Sequence, residues 1–355
     1  MPMMVVGRFM AGLGGSIGIA LPGPIMADIW KIEERGKSIT LSMFMPYFGA
    51  AVGPILGGYM CEQVSWPWLF WVVSIFDTVL LVVSFFVIKE SYAPLLLLRK
   101  ASRLANERGK PQWTIYQTTN KTAQKGTARV LTALQRPFKL FITRPTIPLT
   151  SFFVGYMFGC YTIALTCYAE VWTHIYHQSI SASGLHYIAI SIGSAGSSLI
   201  TGFLMDKVFR YLKSRSPNQT SRPEFRVPLM VPGTIICPIG LLIYGWSSQR
   251  HLHWIITDLG MVLAVSGSMS SSQCANAYMV DEFMQEYASA GAAMRFWSNV
   301  LGFVFPLFAP TMYQRLGYGV GNTVLAAGML ILCVPVPAVL WWFGERIRAI
   351  GKRRD

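Results

Sequence analysis

Apolar residues in this chain arrive in blocks of about 20, separated by short polar connections, and this spacing constrains the fold more than any other feature. At about 1.5 Å of rise per residue, one such block as a helix crosses a hydrocarbon core of about 30 Å. Inside that core every backbone N–H and C=O has to find a protein partner, which leaves only helices and closed β-barrels. The short alternating segments of a barrel, about ten residues each, are not found, so an all-α polytopic membrane protein is expected. Composition agrees. The chain is 53% hydrophobic and 13% charged, where a soluble domain carries roughly 25% charge.

The periodicity predicts about nine spans, near 3–25, 39–60, 68–88, 147–169, 184–205, 228–247, 254–277, 293–313 and 322–343. A polar stretch over 89–146 is the one clear linker. It divides a partial N-terminal bundle (1–88) from a six-helix C-terminal bundle (147–343), with a basic tail at 344–355. Lys and Arg crowd into 27–38, 89–146, 206–226 and the tail, while 61–67 and 170–183 contain none. Basic loops mark the cytosolic side, so the linker and C-terminus are expected in the cytosol and Met1 outside. The opening MPMMVVGRFMAGLGGS lacks the layout of a signal peptide. A first residue outside without such a peptide calls for an odd number of earlier helices, and three would give six on each side of the linker. The expectation is a chain lacking three N-terminal helices.

The net charge of +14 is accounted for by those basic loops, so nucleic acid is not an expected partner. Cys61, Cys160, Cys167, Cys237, Cys274 and Cys333 lie in or beside apolar segments, with no zinc-like or secreted-disulfide spacing. The pairs His174/His177 and His251/His253 read as loop histidines at a membrane surface. No metal and no cofactor is expected, and no nucleophile motif points to an enzyme.

One run, FGAAVGPILGGYM over 48–60, places Gly49, Gly53, Pro54, Gly57 and Gly58 inside an apolar span. Interior glycine costs a soluble helix about 1 kcal/mol and proline about 3. In lipid, small residues every fourth position let helix backbones approach closely, and neighbouring helices satisfy the carbonyl freed by proline. Together with the following W-x-W-x-F-W (Trp66, Trp68, Phe70, Trp71), the run resembles the antiporter motif of the major facilitator superfamily. Further stretches agree in order. GRFMAGLGGS, through Arg8, Gly12 and Gly14, resembles the R-x-x-x-G-x-G motif of that superfamily's fourth helix. ADIWKIEERGKS, through Asp28, Glu34, Arg35 and Gly36, resembles the superfamily's D…ERG connection before the fifth helix, and KESYAPLLLLRKASRL, RPEFRVPLMVPGTIICPIGLLIYGW and the terminal ERIR resemble fungal drug:proton antiporters with twelve helices. GFLMDKVFR is similar to the second copy of the cytosolic G-x-x-x-D loop. Arg144, Pro67 and Asp258 depart from that group's pattern.

The resemblance implies a secondary active transporter: proton-coupled efflux of drugs, toxins or secondary metabolites, by alternating access, at a fungal plasma membrane. Its partners would be a small organic substrate, protons and the bilayer, and its expected state a monomer. Arg8 would couple proton movement to transport, since an arginine in hydrocarbon normally faces a cavity or a partner. Asp28, Glu34 and Arg35, and Gly202, Asp206 and Arg210, would form cytosolic gates, with Asp206 paired to Arg210. Substrate contacts would come from Tyr156, Tyr161, Tyr168, Gln273, Asn276, Phe296 and Asn299, because amides in hydrocarbon should face inward and aromatic walls suit amphipathic organic molecules. A non-transporting relic or regulatory fragment of such a transporter stays open as the alternative.

Overall fold

The computed structural model describes residues 2–20, 46, 49, 52–65, 67–87, 90, 93–109, 126–216, 222–284 and 286–352. In chain order these form α1 (Pro2–Ala20), α2 (52–63), α3 (Pro67–Val87), α4 (Ala93–Arg108), α5 (Gly126–Thr143), α6 (Thr146–Glu170), α7 (Ile180–Leu185), α8 (Tyr187–Arg215), α9 (Met230–Gln249), α10 (Trp254–Glu282), α11 (Tyr287–Leu332) and α12 (Pro335–Lys352). A π-turn, Val171–Ile175, extends α6, and a 3₁₀ helix, Pro223–Leu229, leads into α9. No strand occurs among the described residues.

Six helical runs among the described residues are long and apolar enough to cross a membrane, which makes this a multi-pass membrane protein. The expected count of about nine is not established, for identifiable reasons. The predicted eighth and ninth spans merge into one run, Tyr287–Ile350, across a bend at Gly317 (φ 75°, ψ 170°). Half of the second span falls outside the described residues, and within the first the apolar stretch of α1, Met3–Gly15, is shorter than a span. The presumed linker 89–146 also proves partly helical, through α4 and α5.

Contacts divide the chain into two units. The first comprises Met1–Ile39 and Trp71–Gln135, and the second Thr40–Phe70 and Arg136–Asp355. The second holds the apolar core, built from α6, α8, α9, α10, α11 and the start of α12.

Small residues explain why these helices pack. Gly233 and Gly240 on α9, seven residues apart, interleave with Gly260 and Gly267 on α10, also seven apart. A Cβ on Gly267 would sit 2.6 Å from the Gly233 carbonyl oxygen, and one on Gly260 would sit 2.9 Å from the Tyr244 Cα. Only hydrogen fits at such contacts. The α6–α11 seam works by exchange: Phe305 covers Gly159, and Phe158 covers Gly302. Between α8 and α10 the seam is polar. Ser266 donates to the Gly193 carbonyl (3.1 Å), Gln273 to Ser198 (2.5 Å) and Thr201 to Ser270 (2.8 Å). Each such bond between membrane helices contributes about 0.6 kcal/mol. The bend at Gly317 is also capped. Gln249 of α9 accepts from the Gly319 N–H (2.7 Å), satisfying a donor that the restarting helix leaves open.

Candidate functional site

At one end of the second unit, the rigid turn Pro223–Leu229 feeds two charged side chains into the bundle. Arg226 is the centre. Its Nε donates to Asp281 of α10 at 2.8 Å, and its Nη1 to Asp206 of α8 at 3.4 Å. Arg226 and Asp206 are buried, with side-chain exposures of 8% and 10%, and Asp281 is partly buried at 20%. The guanidinium also lies over the Phe209 ring, 4.2 Å from its centroid. Two residues earlier, Glu224 accepts from Arg348 of α12 at 2.6 Å. Thr146 of α6 donates to Glu282 at 2.8 Å, and Arg136 of α5 pairs with Glu286 at 2.5 Å. Charges from α5, α8, α10, α12 and the turn therefore bind this end together.

Such an arrangement holds helix ends together until a competing charge or a helix movement separates the partners. A lone buried guanidinium between two carboxylates costs several kcal/mol to break by removing one member. That gives it the properties of a lock rather than of a reactive centre.

The expected partner of Asp206 changes. Arg210 is exposed, and its Nε donates to the Asp206 backbone carbonyl (3.2 Å), while Arg226 takes the carboxylate. The Asp206 carboxylate points into the bundle and meets Arg226 of the turn, while Arg210, one helical turn on, is exposed, with its Nε on the Asp206 backbone. Gly202 lies buried one turn earlier. Arg226, Glu224, Asp281 and Arg348 were hidden in the sequence because loop charge looks the same whether solvated or buried. The available signal was position: Arg226 stands between two prolines at the edge of an apolar run, and Asp281 closes another.

The remaining expected residues are scattered. Asp28, Glu34 and Arg35 lie outside the described residues. Arg8 is on α1 and exposed. A Cβ on Gly49 or Gly53 would meet no described atom within 4 Å, so the described neighbours do not use that face for close packing. A Cβ on Gly57 would meet only Leu69 among the described residues, at 3.9 Å, and Gly58 is the tight position, where a Cβ would lie 3.0 Å from the Ile180 carbonyl oxygen. Pro54 shares in this docking. Its carbonyl oxygen lies 2.8 Å from where a Cβ on Gly184 would sit. Glu62, at the end of α2, accepts hydrogen bonds from the Ser181 N–H (2.9 Å) and the Ser181 hydroxyl. These bonds hold its carboxyl below the usual carboxylate range, the hydroxyl contributing most.

Several of the expected substrate contacts take part in helix packing. Tyr156 donates to the Leu325 carbonyl (2.9 Å), and Tyr168 to Asp258 (2.5 Å), so both hydroxyls tie helices together. Tyr161 is buried beside Phe158. Gln273 is engaged with Ser198, and Asn276 bonds its own helix at the Ser272 carbonyl (2.8 Å). Phe296 is 48% exposed and meets Phe138 edge-on, and Asn299 is exposed. A small cavity of about 10 Å³ in the bundle core is lined by Cys160, Cys167, Tyr244, Tyr313 and Asn322 among others, and the Tyr168 ring packs 5.9 Å from that of Tyr244, centroid to centroid.

Comparison with known proteins agrees with the helical architecture. The chain is 37% identical to the efflux pump vrtL of Penicillium aethiopicum, over 97% of this chain and 67% of that one. It is 36% identical to the MFS-type transporter oryF of Aspergillus oryzae, over 97% of this chain and 71% of that one. These alignments run nearly the whole of this chain and do not establish the expected absence of three helices. In fold it is similar to the xylose transporter XylE of E. coli in a partially occluded inward-open conformation, with TM-score 0.64 and 16% identity over 96% of this chain and 71% of that one. The family model for the Major Facilitator Superfamily matches residues 1–306, and the chain belongs to that superfamily.

Proposed function

We propose that the protein is a secondary active transporter, not an enzyme, that expels small organic molecules such as drugs, toxins or secondary metabolites in exchange for protons. The observation that carries this reading is the match of nearly the whole chain to relatives named as efflux pumps and transporters. The Arg226–Asp206–Asp281 lock supports alternating access, because closing and opening one end of a bundle requires a contact that is strong yet reversible. Its basic surroundings support placing that end, with 89–146 and the tail, in the cytosol of a fungal plasma membrane. The order of the motifs supports reading the spans as the fourth to twelfth helices of the family's twelve, with 1–88 as a partial bundle and 147–343 as a complete one.

Within this reading Arg8 couples proton movement, Asp28, Glu34 and Arg35 form a second gate, and Tyr156, Tyr161, Tyr168, Gln273, Asn276, Phe296 and Asn299 border the substrate path. The protein acts as a monomer, without cofactor or nucleic acid.

The test is efflux of rhodamine 6G and ethidium from yeast cells lacking their own drug exporters. Expression should lower dye retention several-fold, a protonophore should abolish the effect, and Arg8→Ala should remove its dependence on the proton gradient. Normal insertion in the membrane with unchanged retention and unchanged resistance across a broad drug panel would refute the proposal and leave the non-transporting alternative.

A further inference from the structure

The end of the second unit remote from Arg226 carries its own ionic pair. His186 stands between α7 and α8, and its Nδ1 lies 2.8 Å from Asp258 Oδ2 of α10. Its Nε2 lies 2.9 Å from Gln178 Oε1. The other Asp258 oxygen accepts from the Tyr168 hydroxyl. The imidazole stacks on Trp172 of the π-turn, with centroids 3.5 Å apart and planes at 5°, while Trp254 meets it edge-on at 5.8 Å. Side-chain exposure is 12% for His186 and 16% for Asp258.

We infer that His186 and Asp258 form a proton-binding site, with the proton held on His186. Nδ1 faces a carboxylate, which only accepts when ionised, so Nδ1 carries a proton. Nε2 faces the Gln178 side-chain amide, which can offer its oxygen to the cation or its N–H to the neutral ring, so both protonation states of Nε2 are satisfied. The titratable groups facing the ring from the packed elements are Asp258 of α10 and, through it, Tyr168 of α6. Tyr187 turns away to donate to the Leu165 carbonyl, and His253 lies against Trp254. Without the imidazolium, Asp258 would be a largely buried carboxylate lacking a cation, which is costly. The proton comes from water onto Nε2 and returns to water, and no other bond forms or breaks. On its departure the Gln178 amide turns to donate its N–H to the freed Nε2, while Nδ1–H stays on Asp258.

Position gives this site its use. His186, the N-cap of α8, precedes Asp206 on that helix by 20 residues, roughly 30 Å at 1.5 Å per residue. Asp258 precedes Asp281 by 23 on α10. The proton site and the Arg226 lock thus join α8 to α10 at opposite ends, so gain or loss of the proton bears on the same helix pair that the lock closes. This role in coupling rests on the transporter reading; the proton site itself does not.

The test is a ¹⁵N NMR titration of the full chain in nanodiscs, with His186 as its one histidine. His174→Gln, His177→Asn, His251→Asn and His253→Asn remove the other four. Asn suits the positive φ of His177 and His251 and the N-cap at His253. Across the pH range in which histidine serves as a switch, the ring signal should change from the neutral to the doubly protonated form. Asp258→Asn should disfavour the doubly protonated form relative to the native chain, and Gln178→Glu should favour it. The second variant decides the matter if the first does not fold. A ring that keeps one protonation state throughout, or a midpoint unmoved by the folded variants, would overturn the inference. The readout needs no substrate. A titrating ring in a chain that moves no dye would leave the proton site standing and remove only its part in transport.

Discussion

Replacing Arg226 by Met should destabilise the helical bundle of the second unit more than any other single change in its charged end. Arg226 is 8% exposed and serves two carboxylates, of which Asp206 is 10% and Asp281 20% exposed. Methionine keeps much of the volume but leaves two acids facing each other in a site that excludes most water. Breaking a buried pair by removing one partner costs about 3–5 kcal/mol. At about 2–4 °C per kcal/mol for a unit of this size, the melting temperature should fall by roughly 10 °C. The protein supplies its own probe. Cys160, Cys167, Cys237, Cys274 and Cys333 are buried free thiols, while Cys61 is exposed and is first changed to Ser. A maleimide dye that fluoresces on reaction then reports unfolding as the buried thiols emerge. The triple variant Asp206→Asn, Arg226→Met, Asp281→Asn separates charge from packing, because it removes the stranded acids. It should recover most of the loss, and a triple variant as unstable as Arg226→Met would refute the electrostatic account.

Three further outcomes follow from the same structure. Gly267→Val pushes a side chain against the α9 backbone, where the Gly233 oxygen already lies 2.6 Å from a Cβ position. It should cost at least about 1–3 kcal/mol in the same thiol assay, whereas Gly196→Val, which meets open space, should cost far less. Tyr156→Phe removes the bond to the Leu325 carbonyl and should lower stability by about 1 kcal/mol, measured by chemical denaturation. For Glu62 the folded pKa is depressed, so the carboxylate's hold on Ser181 is fully present above the unfolded value of 4.5. It is lost as pH falls through the lower folded value. Hydrogen exchange at the Ser181 amide, corrected for its intrinsic pH dependence, should lose protection below pH 4.5 in the native chain. Glu62→Gln should show the weaker protection at every pH.

The membrane class, the helical content and the approximate place of most spans were legible in the sequence. Hydrocarbon forces every segment to satisfy its own backbone, so a run such as Trp254–Glu282 announces itself locally by length and apolarity alone. The family was legible too, because its motifs are strings of neighbouring residues. Asp206 could be singled out in that way, but its partner could not. The i+4 neighbour Arg210 was the local choice, while Arg226 enters from a turn 20 residues away, and only the folded bundle decides which guanidinium is buried with it. The same holds for Gly233, Gly240, Gly260 and Gly267: the spacing of seven is written in the chain, but that the two pairs interleave is a property of two helices in contact. His186 and Asp258 are 72 positions apart, with nothing in either local stretch to join them. What the sequence by itself determined was therefore what each segment can do alone in lipid. Tertiary structure decided which charges, glycines and rings meet, because those meetings depend on close contact between residues that are distant along the chain.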